Sequence, residues 1–197
     1  MKINPSKLQS NGAFSCRYCK HQFPRIFKKS FNVCPFCGKM FPEKLEVIIN
    51  AFHIMQVSKS LSAALRLVQG NELVAAARES LIVLESAVKK LSGLHDLGGV
   101  KLMAQAFGFE YDDKNGKITS SPLIPVNRLL TRTERNEQDG IRLLAMGLMR
   151  GIRNIYLHSN MVSTLHYPFT VIAAVDLILK QLPGSGRPVT HYIENES

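Results

Sequence analysis

Four polar side chains near the end of a long apolar segment have the chemistry to handle phosphate and protons: Arg150, Arg153, Asn154 and His158. An α-helix turns about 100° per residue, so residues three, four and seven apart share a face. In a helix over residues 140–159, these four side chains would lie along one stripe. The opposite stripe is apolar and predicts a face packed on the core, formed by Ile141, Leu144, Ala145, Leu148, Ile152 and Ile155.

The polar stripe has two interpretations. Arginine offers a charge-assisted fork for phosphate oxygens, and histidine titrates near neutral pH and can transfer protons. These properties predict a phosphate-handling catalytic site. The alternative is a solvated helix end, where basic side chains complement the negative end of the helix dipole.

The sequence around the stripe resembles a known family. Arg153, the polar Asn154 and then His158 resemble the R-(polar)-xxx-H signature of the HEPN superfamily. The order of the surrounding segments over about residues 60–182 is similar to the Ymh-type HEPN family of phages and bacteria. These segments are Glu72 through Leu91, Asp96-Leu97-Gly98-Gly99, Leu102-Met103, Ala106-Phe107, Pro122-Leu123, Asn127-Arg128-Leu129, Glu134 through Gly140 and Met146 through Asn154. One departure is Ile155-Tyr156-Leu157 where family members carry Pro-x-Ala, which changes how the helix presents the motif.

The resemblance implies a mainly α-helical, HEPN-like bundle that acts as a metal-independent endoribonuclease. Within that activity, His158 would transfer the proton of the RNA 2′-hydroxyl and Arg153 would neutralise charge on the phosphate. Asn154 would bind substrate or orient the imidazole, and Arg150 and Tyr156 are weaker candidates for substrate contacts. A role in phage defence, in abortive infection or as a toxin is implied by the resemblance alone, and an inhibitor partner is left open.

The resemblance also implies a homodimer in which two motifs meet in one cleft. Leu143, Met146 and Gly147 continue the motif face as an apolar patch with a small residue, which suits a close helix contact about a two-fold axis. Packing of this face inside the monomer is the alternative. The competing functions are a non-catalytic nucleic-acid-binding or adaptor protein and, less favoured, a DNA-binding regulator, since fold similarity alone does not establish activity.

The cysteines are grouped in two knuckles, Cys16-x2-Cys19 and Cys34-x2-Cys37. Two such pairs place four thiolates where a tetrahedral zinc ion needs them, and four protein ligands leave no open position for a reacting water. The pattern predicts one structural Zn²⁺ in a zinc ribbon, with short strands around residues 17–27 and 29–33. Two disulfides or a redox pair are the alternatives, but no export signal and no thioredoxin-like context accompany them. His21 is predicted to be a surface residue.

Positive charge is concentrated at the N-terminal end of the chain. Residues 1–50 hold nine Lys or Arg and two Glu, whereas residues 51–197 hold sixteen Lys or Arg and thirteen acids. Such a balance favours an anionic partner, RNA or another nucleic acid before others, and Phe23, Phe27 and Phe31 interleave with the cations there. Solubility alone is the other explanation. No apolar run reaches membrane-spanning length and no apolar signal begins the chain, so we expect a cytoplasmic protein without membrane contact.

The pattern predicts four regions. Residues 1–43 form the zinc ribbon, 44–59 a connecting helix, 60–183 the helical domain and 184–197 a flexible tail. Within the helical domain, helices are expected over about 58–69, 72–91, 97–107, 132–159 and 162–182, with a loop or hairpin over 109–127. Gly93 is expected to stop the third helix, whose core stripe is Leu73, Ala77, Leu81, Leu84, Val88 and Leu91, and Thr131 with Glu134 predicts a capping box.

Overall fold

The structure is a computed structural model that describes residues 13–24, 33–34, 36–37, 39–153 and 167–185. Predictions that fall on other residues, including Asn154, Tyr156, His158 and most of the tail, lie outside the described residues. The described chain is mainly helical. Its elements are β1 Ala13–Ser15, β2 Gln22–Pro24, α1 Pro42–Ile54, a 3-10 turn Lys59–Leu61, α2 Ser62–Gln69, α3 Leu73–Ser92, α4 Gly99–Phe107, β3 Glu110–Asp112, β4 Lys117–Ser120, α5 Arg132–Gly147, a π-helical segment Leu148–Ile152 and α6 Tyr167–Gln181.

The first described region, residues 13–41, forms a small unit that we call the cysteine module. Strands β1 and β2 pair antiparallel, with Phe14 opposite Phe23, and Val33 bridges to Met40. The strand predicted around residues 17–27 is confirmed only at Gln22–Pro24, because residues 17–19 form a turn. Most of the strand predicted around residues 29–33 lies outside the described residues. The Cys16 N–H donates to His21 O at 2.9 Å and the Lys20 N–H donates to Cys16 O at 2.9 Å, which closes the knuckle into a loop between the two strands.

Helix α3 is the central helix of the bundle and packs against α2, α4 and α6. Its buried stripe confirms the prediction except at Leu91, which is exposed because it lies in the last turn of the helix. Gly93 ends the helix in the left-handed conformation, with φ of 73°, as predicted. Helix α1 begins at Pro42 and ends at Ile54, earlier than predicted, since Gln56 adopts a positive φ that a helix cannot continue through.

The region after α4 forms the β3–β4 hairpin and a loop that returns to α5. Gln138 of α5 is fully buried and ties this loop in place. Its Nε2 donates to Phe107 O at 2.9 Å and Ile124 O at 3.1 Å, while its Oε1 accepts from Val126 N at 2.9 Å. The predicted capping box at Thr131 and Glu134 is present and fixes the start of α5.

The cysteine module contacts the helical bundle directly. Val33 and Met40 belong to the main hydrophobic core rather than to the core of the module. Asn71, which is buried after α2, accepts from Met40 N at 3.0 Å and donates to Met40 O at 2.8 Å. Lys39 forms an ion pair with Glu72 beside these bonds. The two regions therefore share part of one core.

Across the described helices, none combines the length and the apolar composition needed to cross a bilayer.

Candidate functional site

The two knuckles bring the four cysteine sulfurs together, as the spacing predicts. Sγ of Cys16 lies 3.8 Å from Sγ of Cys37, and Sγ of Cys19 lies 3.6 Å from Sγ of Cys34. All four sulfurs lie within 4.8 Å of one another and none is in a disulfide. Tetrahedral metal–thiolate bonds of about 2.3 Å separate neighbouring sulfurs by about 3.8 Å. The cluster therefore fits one metal ion such as zinc.

The cysteine thiols titrate differently from one another. Burial, together with the neighbouring thiols, raises the pKa of the Cys37 thiol to about 12. Burial also raises the pKa of Cys34. At Cys16 burial acts in the same direction, but backbone and thiol hydrogen bonds outweigh it and lower the pKa to about 7. Because four adjacent thiols resist a build-up of negative charge, a divalent cation among them would favour their deprotonated forms.

A small aromatic core supports the cysteine cluster. Phe23 and Phe41 are buried with Cys16 and Cys34, and Phe14 packs against them edge-on. Phe23, one of the three phenylalanines that interleave with cations in the sequence, is only 6% exposed and belongs to this core. Phe27 and Phe31 lie outside the described residues. His21 is at the surface, as predicted.

The helical segment that leads to Arg153 is not one regular α-helix. Helix α5 ends at Gly147 and a π-helical segment follows, in which the Arg153 N–H donates to Leu148 O. A π turn places one extra residue in the helix and is frequent at functional sites. The α-helical spacing assumed across residues 148–152 is therefore wrong. The apolar stripe is nevertheless the core face, since Ile141, Ala145 and Leu148 are buried.

Arg153 follows the π segment and faces α3. Its Nη1 lies 3.0 Å from Oε2 of Glu85, while Oε1 of the same carboxylate lies 3.5 Å from Nζ of Lys89. The Glu85 side chain is only 13% exposed, so these two cations offset the cost of removing its charge from water. Sequence reasoning missed Glu85. The available signal was an acidic residue directly after the buried Leu84 of α3.

Two glycines at the start of α4 leave room for this ion pair. A Cβ on Gly99 would lie 3.2 Å from Nη1 of Arg153, and a Cβ on Gly98 would lie 2.9 Å from Oε1 of Glu85. Gly99 also has φ of 57°, a conformation that favours glycine. The backbone of this segment can therefore approach Arg153 and Glu85 closely. We call Glu85, Gly98, Gly99 and Arg153 the arginine site.

The remaining motif residues are placed only in part. Arg150 is exposed within the π segment, and the positions of Asn154, Tyr156 and His158 lie outside the described residues. On the predicted dimer face Leu143 and Gly147 are exposed, whereas Met146 packs partly against the core. A Cβ added at Gly147 would meet no atom within 4 Å. Joint action of Arg153 and His158 remains a prediction.

A family model described as a protein of unknown function, Hypoth_ymh, matches residues 58–182. The match covers more than half of the chain, so the chain belongs to the Hypoth_ymh family, and the Ymh-type resemblance is confirmed. The matched segment contains the arginine site and excludes the four cysteines. Comparison with curated proteins and with solved structures gives no significant match.

Proposed function

We propose that this protein is a metal-independent endoribonuclease of HEPN type with a zinc ribbon for nucleic-acid recognition. The observation that supports it is the arginine site. Arg153 is held by Glu85 beside two glycines and directly after a π turn, within the segment that defines the family. An arginine that served only solubility would need neither the ion pair with Glu85 nor the close approach of two glycines. Roles in phage defence or as a toxin rest on the family resemblance alone.

The reaction needs only groups that this chain carries. His158 removes the proton from the 2′-hydroxyl, the 2′-oxygen forms a bond to phosphorus, and the bond from phosphorus to the 5′-oxygen breaks. The leaving 5′-oxygen takes up a proton, which gives a cyclic phosphate and a 5′-hydroxyl. Arg153 stabilises the added negative charge on the phosphate oxygens, and Asn154 orients substrate or the imidazole. Arg150 and Tyr156 extend the contact with RNA, and no catalytic metal takes part.

The zinc ion has a structural role in this proposal. Cys16, Cys19, Cys34 and Cys37 would hold one Zn²⁺ with all four positions filled by protein, so no site remains for a reacting water. The metal replaces the apolar core that so short a segment lacks. The ribbon then acts in recognition and the helical domain in chemistry.

Cleavage is tested with a fluorescently labelled oligoribonucleotide and with total RNA across pH 6–8. His158→Ala should lower the rate by roughly a hundredfold or more, because the proton-transfer group is lost. Arg153→Lys should also fail to cleave RNA, since the point charge of lysine cannot reproduce the planar fork of the guanidinium. EDTA at a level that leaves the ribbon folded should not stop cleavage.

Matched controls separate catalysis from folding. Arg142 of α5 has the same one-third exposure as Arg153 and also forms an ion pair, with Asp139 at 2.7 Å. Arg142→Lys should therefore cleave like wild type, as should His53→Ala on the exposed side of α1. RNA left uncut by wild type, or cut equally well by His158→Ala, contradicts the proposal.

The dimer is part of the proposal because two motifs complete one cleft. Gly147→Glu fits the protomer without a clash, so its charge acts only where a second copy approaches. We expect the variant to be monomeric in sedimentation and to keep the wild-type helicity in circular dichroism. Leu143→Glu should do the same, whereas Ile82→Glu, at a similarly exposed position of α3, should not. A wild type that is monomeric at micromolar concentration refutes the dimer.

One observation favours a second function, an adaptor that binds nucleic acid without cutting it. The Arg153 guanidinium is already paired with Glu85, and such a pair can serve packing alone. Glu85→Gln distinguishes the two. In the enzyme it should change the pH profile or rate of cleavage, because Arg153 loses the carboxylate that holds it. In an adaptor it should change only thermal stability, and RNA should bind without being cut.

A further inference from the structure

Two aromatic rings of the cysteine module are largely exposed, although the ring of Phe36 also lies 6.3 Å from that of the buried Phe23. Phe36 is 56% exposed and Tyr18 is 43% exposed, although Phe14, Phe23 and Phe41 of the same module pack together inside. Each exposed ring immediately precedes the second cysteine of its knuckle. A metal ion held by the four cysteines would therefore fix the backbone beside both rings. The exposure of two large aromatic side chains on so small a unit needs a reason.

One of these rings already forms a stack with a neighbour. The imidazole of His21 lies 4.4 Å from the ring of Phe36, with only 10° between the two planes. His21 is itself exposed, so both rings of the pair keep surface that solvent contacts. A flat, preformed stack with open surface can accept a further planar group without ordering a flexible side chain first.

The first knuckle carries positive charge beside the Tyr18 and His21 rings. Arg17 and Lys20 are exposed within and beside the first knuckle. Residues 1–42 contain eight Lys or Arg and neither Asp nor Glu. Four thiolates with one divalent cation would add a net charge of about −2, which leaves the segment strongly positive. The partner is therefore both planar and anionic.

We propose that Tyr18, His21 and Phe36 form a stacking surface for the unpaired bases of a single-stranded nucleic acid, with Arg17 and Lys20 contacting its phosphates. This inference rests on the proposed function in that it assigns the recognition role of the ribbon to particular side chains. Duplex bases hide their faces inside the helix, so they cannot stack on these rings. Exposed Tyr, Phe and Arg side chains also suit a protein interface, but the excess of Lys and Arg over acids in residues 1–42 favours a polyanion.

The test measures binding of the full-length, metal-loaded protein to fluorescent single-stranded dT12 by anisotropy. DNA has no 2′-hydroxyl, so binding is measured apart from any RNA cleavage. Phe36→Ala should weaken binding about tenfold, as should Tyr18→Ala, because each removes a stacking partner. Phe36→Leu keeps apolar bulk without a ring and should be equally weak. Phe36→Trp should bind within about threefold of wild type.

The salt dependence of the binding affinity distinguishes the contribution of the aromatic rings from that of the cations. Arg17→Ala should lower the slope of log K against log salt by about 0.7, the contribution of one phosphate on a single strand. Phe36→Ala should leave that slope unchanged while lowering affinity. Ile54→Ala, which truncates the 83% exposed side chain of α1, is the control for a general loss of apolar surface and should bind normally. Metal content and circular dichroism show that each variant is folded.

The inference is overturned when wild type fails to bind dT12 at micromolar concentration, or when Phe36→Ala and Tyr18→Ala bind as wild type does. Equal affinity for the matching duplex also overturns it, as does full binding by Phe36→Leu. Binding that follows the expected pattern in a protein that never cuts RNA supports this inference and removes only the nuclease. If the protein cuts RNA but does not bind a single strand at these rings, the nuclease proposal is supported and this inference is overturned.

Discussion

The cysteine module and the helical domain reach a stable fold by different means. The buried core of the module consists of two cysteines and two phenylalanines, with three partly buried side chains around it. The helical domain buries a continuous apolar cluster contributed by every helix of the bundle. A module that small cannot bury enough apolar area to offset its loss of conformational entropy. Its four sulfurs take the place of a core.

The same two regions differ in how their polar groups are arranged. In the module the cations and several aromatic rings are exposed, which suits contact with a partner. In the helical domain Gln138 is fully buried with its three hydrogen bonds, and Glu85 is 13% exposed beside an Arg153 side chain that is one-third exposed. This difference supports the proposed division of roles, in which the module would recognise nucleic acid and the bundle would carry the chemistry. The predictions below test how far the two regions are independent.

The largest effect is expected from Cys34→Ser. The variant removes a buried ligand, and metal-binding free energy on the order of 10 kcal/mol supports folding of such modules. We expect the module, residues 15–41, to unfold while the helical domain remains folded at reduced stability, since Val33 and Met40 leave its core. Elemental analysis measures the loss of metal, and hydrogen exchange measures the unfolding of the module and the stability of the helical domain.

Native wild type should hold about one zinc per chain, and a value below about half would contradict the metal site. Removal of the metal from wild type with a strong chelator should reproduce the exchange pattern of the Cys34→Ser protein. If the module stays protected from exchange without metal, its aromatic core is sufficient and the contrast between the two regions fails.

A smaller effect in the opposite region is expected from Leu84→Ala. This side chain is fully buried in α3, so the variant leaves a cavity and should lower the free energy of unfolding by about 2–5 kcal/mol. Metal content should stay at the wild-type value. Ile82→Ala on the same helix is half exposed and should change stability by less than about 0.5 kcal/mol. A loss of metal in Leu84→Ala would mean that the module depends on the bundle.

Local patterns predicted part of these two regions well. Gly93 and the Thr131–Glu134 capping box each depend on residues close together in the sequence, and the structure confirms both features. They succeed because the physical cause is contained within a few residues of chain. The cysteine cluster joins two distant Cys-x2-Cys pairs, and its grouping was predictable because a tetrahedral metal site needs four ligands.

The features that sequence could not give depend on contacts distant in the chain. The partner of Arg153 lies on α3 at Glu85, and periodicity on one helix carries no information about a second helix. The π segment inserts one residue into the helix, and no amino-acid pattern marks such an insertion. Regular α-helical spacing was therefore assumed. The strand predicted around residues 17–27 begins only at Gln22, because the first knuckle forms a turn that strand propensity does not describe.

The smallest effect is expected at the contact between the two regions, from Asn71→Gly. Asn71 has φ of 59°, which glycine adopts freely, so the variant removes the two hydrogen bonds to Met40 without straining the backbone. It leaves buried Met40 groups unpaired and should lower stability by about 1–3 kcal/mol. Gln56→Gly is the matched control, because Gln56 also has a positive φ but an exposed side chain. Thermal unfolding of the metal-loaded proteins measures the difference, and hydrogen exchange should rise at residues 33–41 in Asn71→Gly alone. Equal stability of the two variants, with no change in exchange, would show that the module and the bundle fold as independent units despite the core residues that they share.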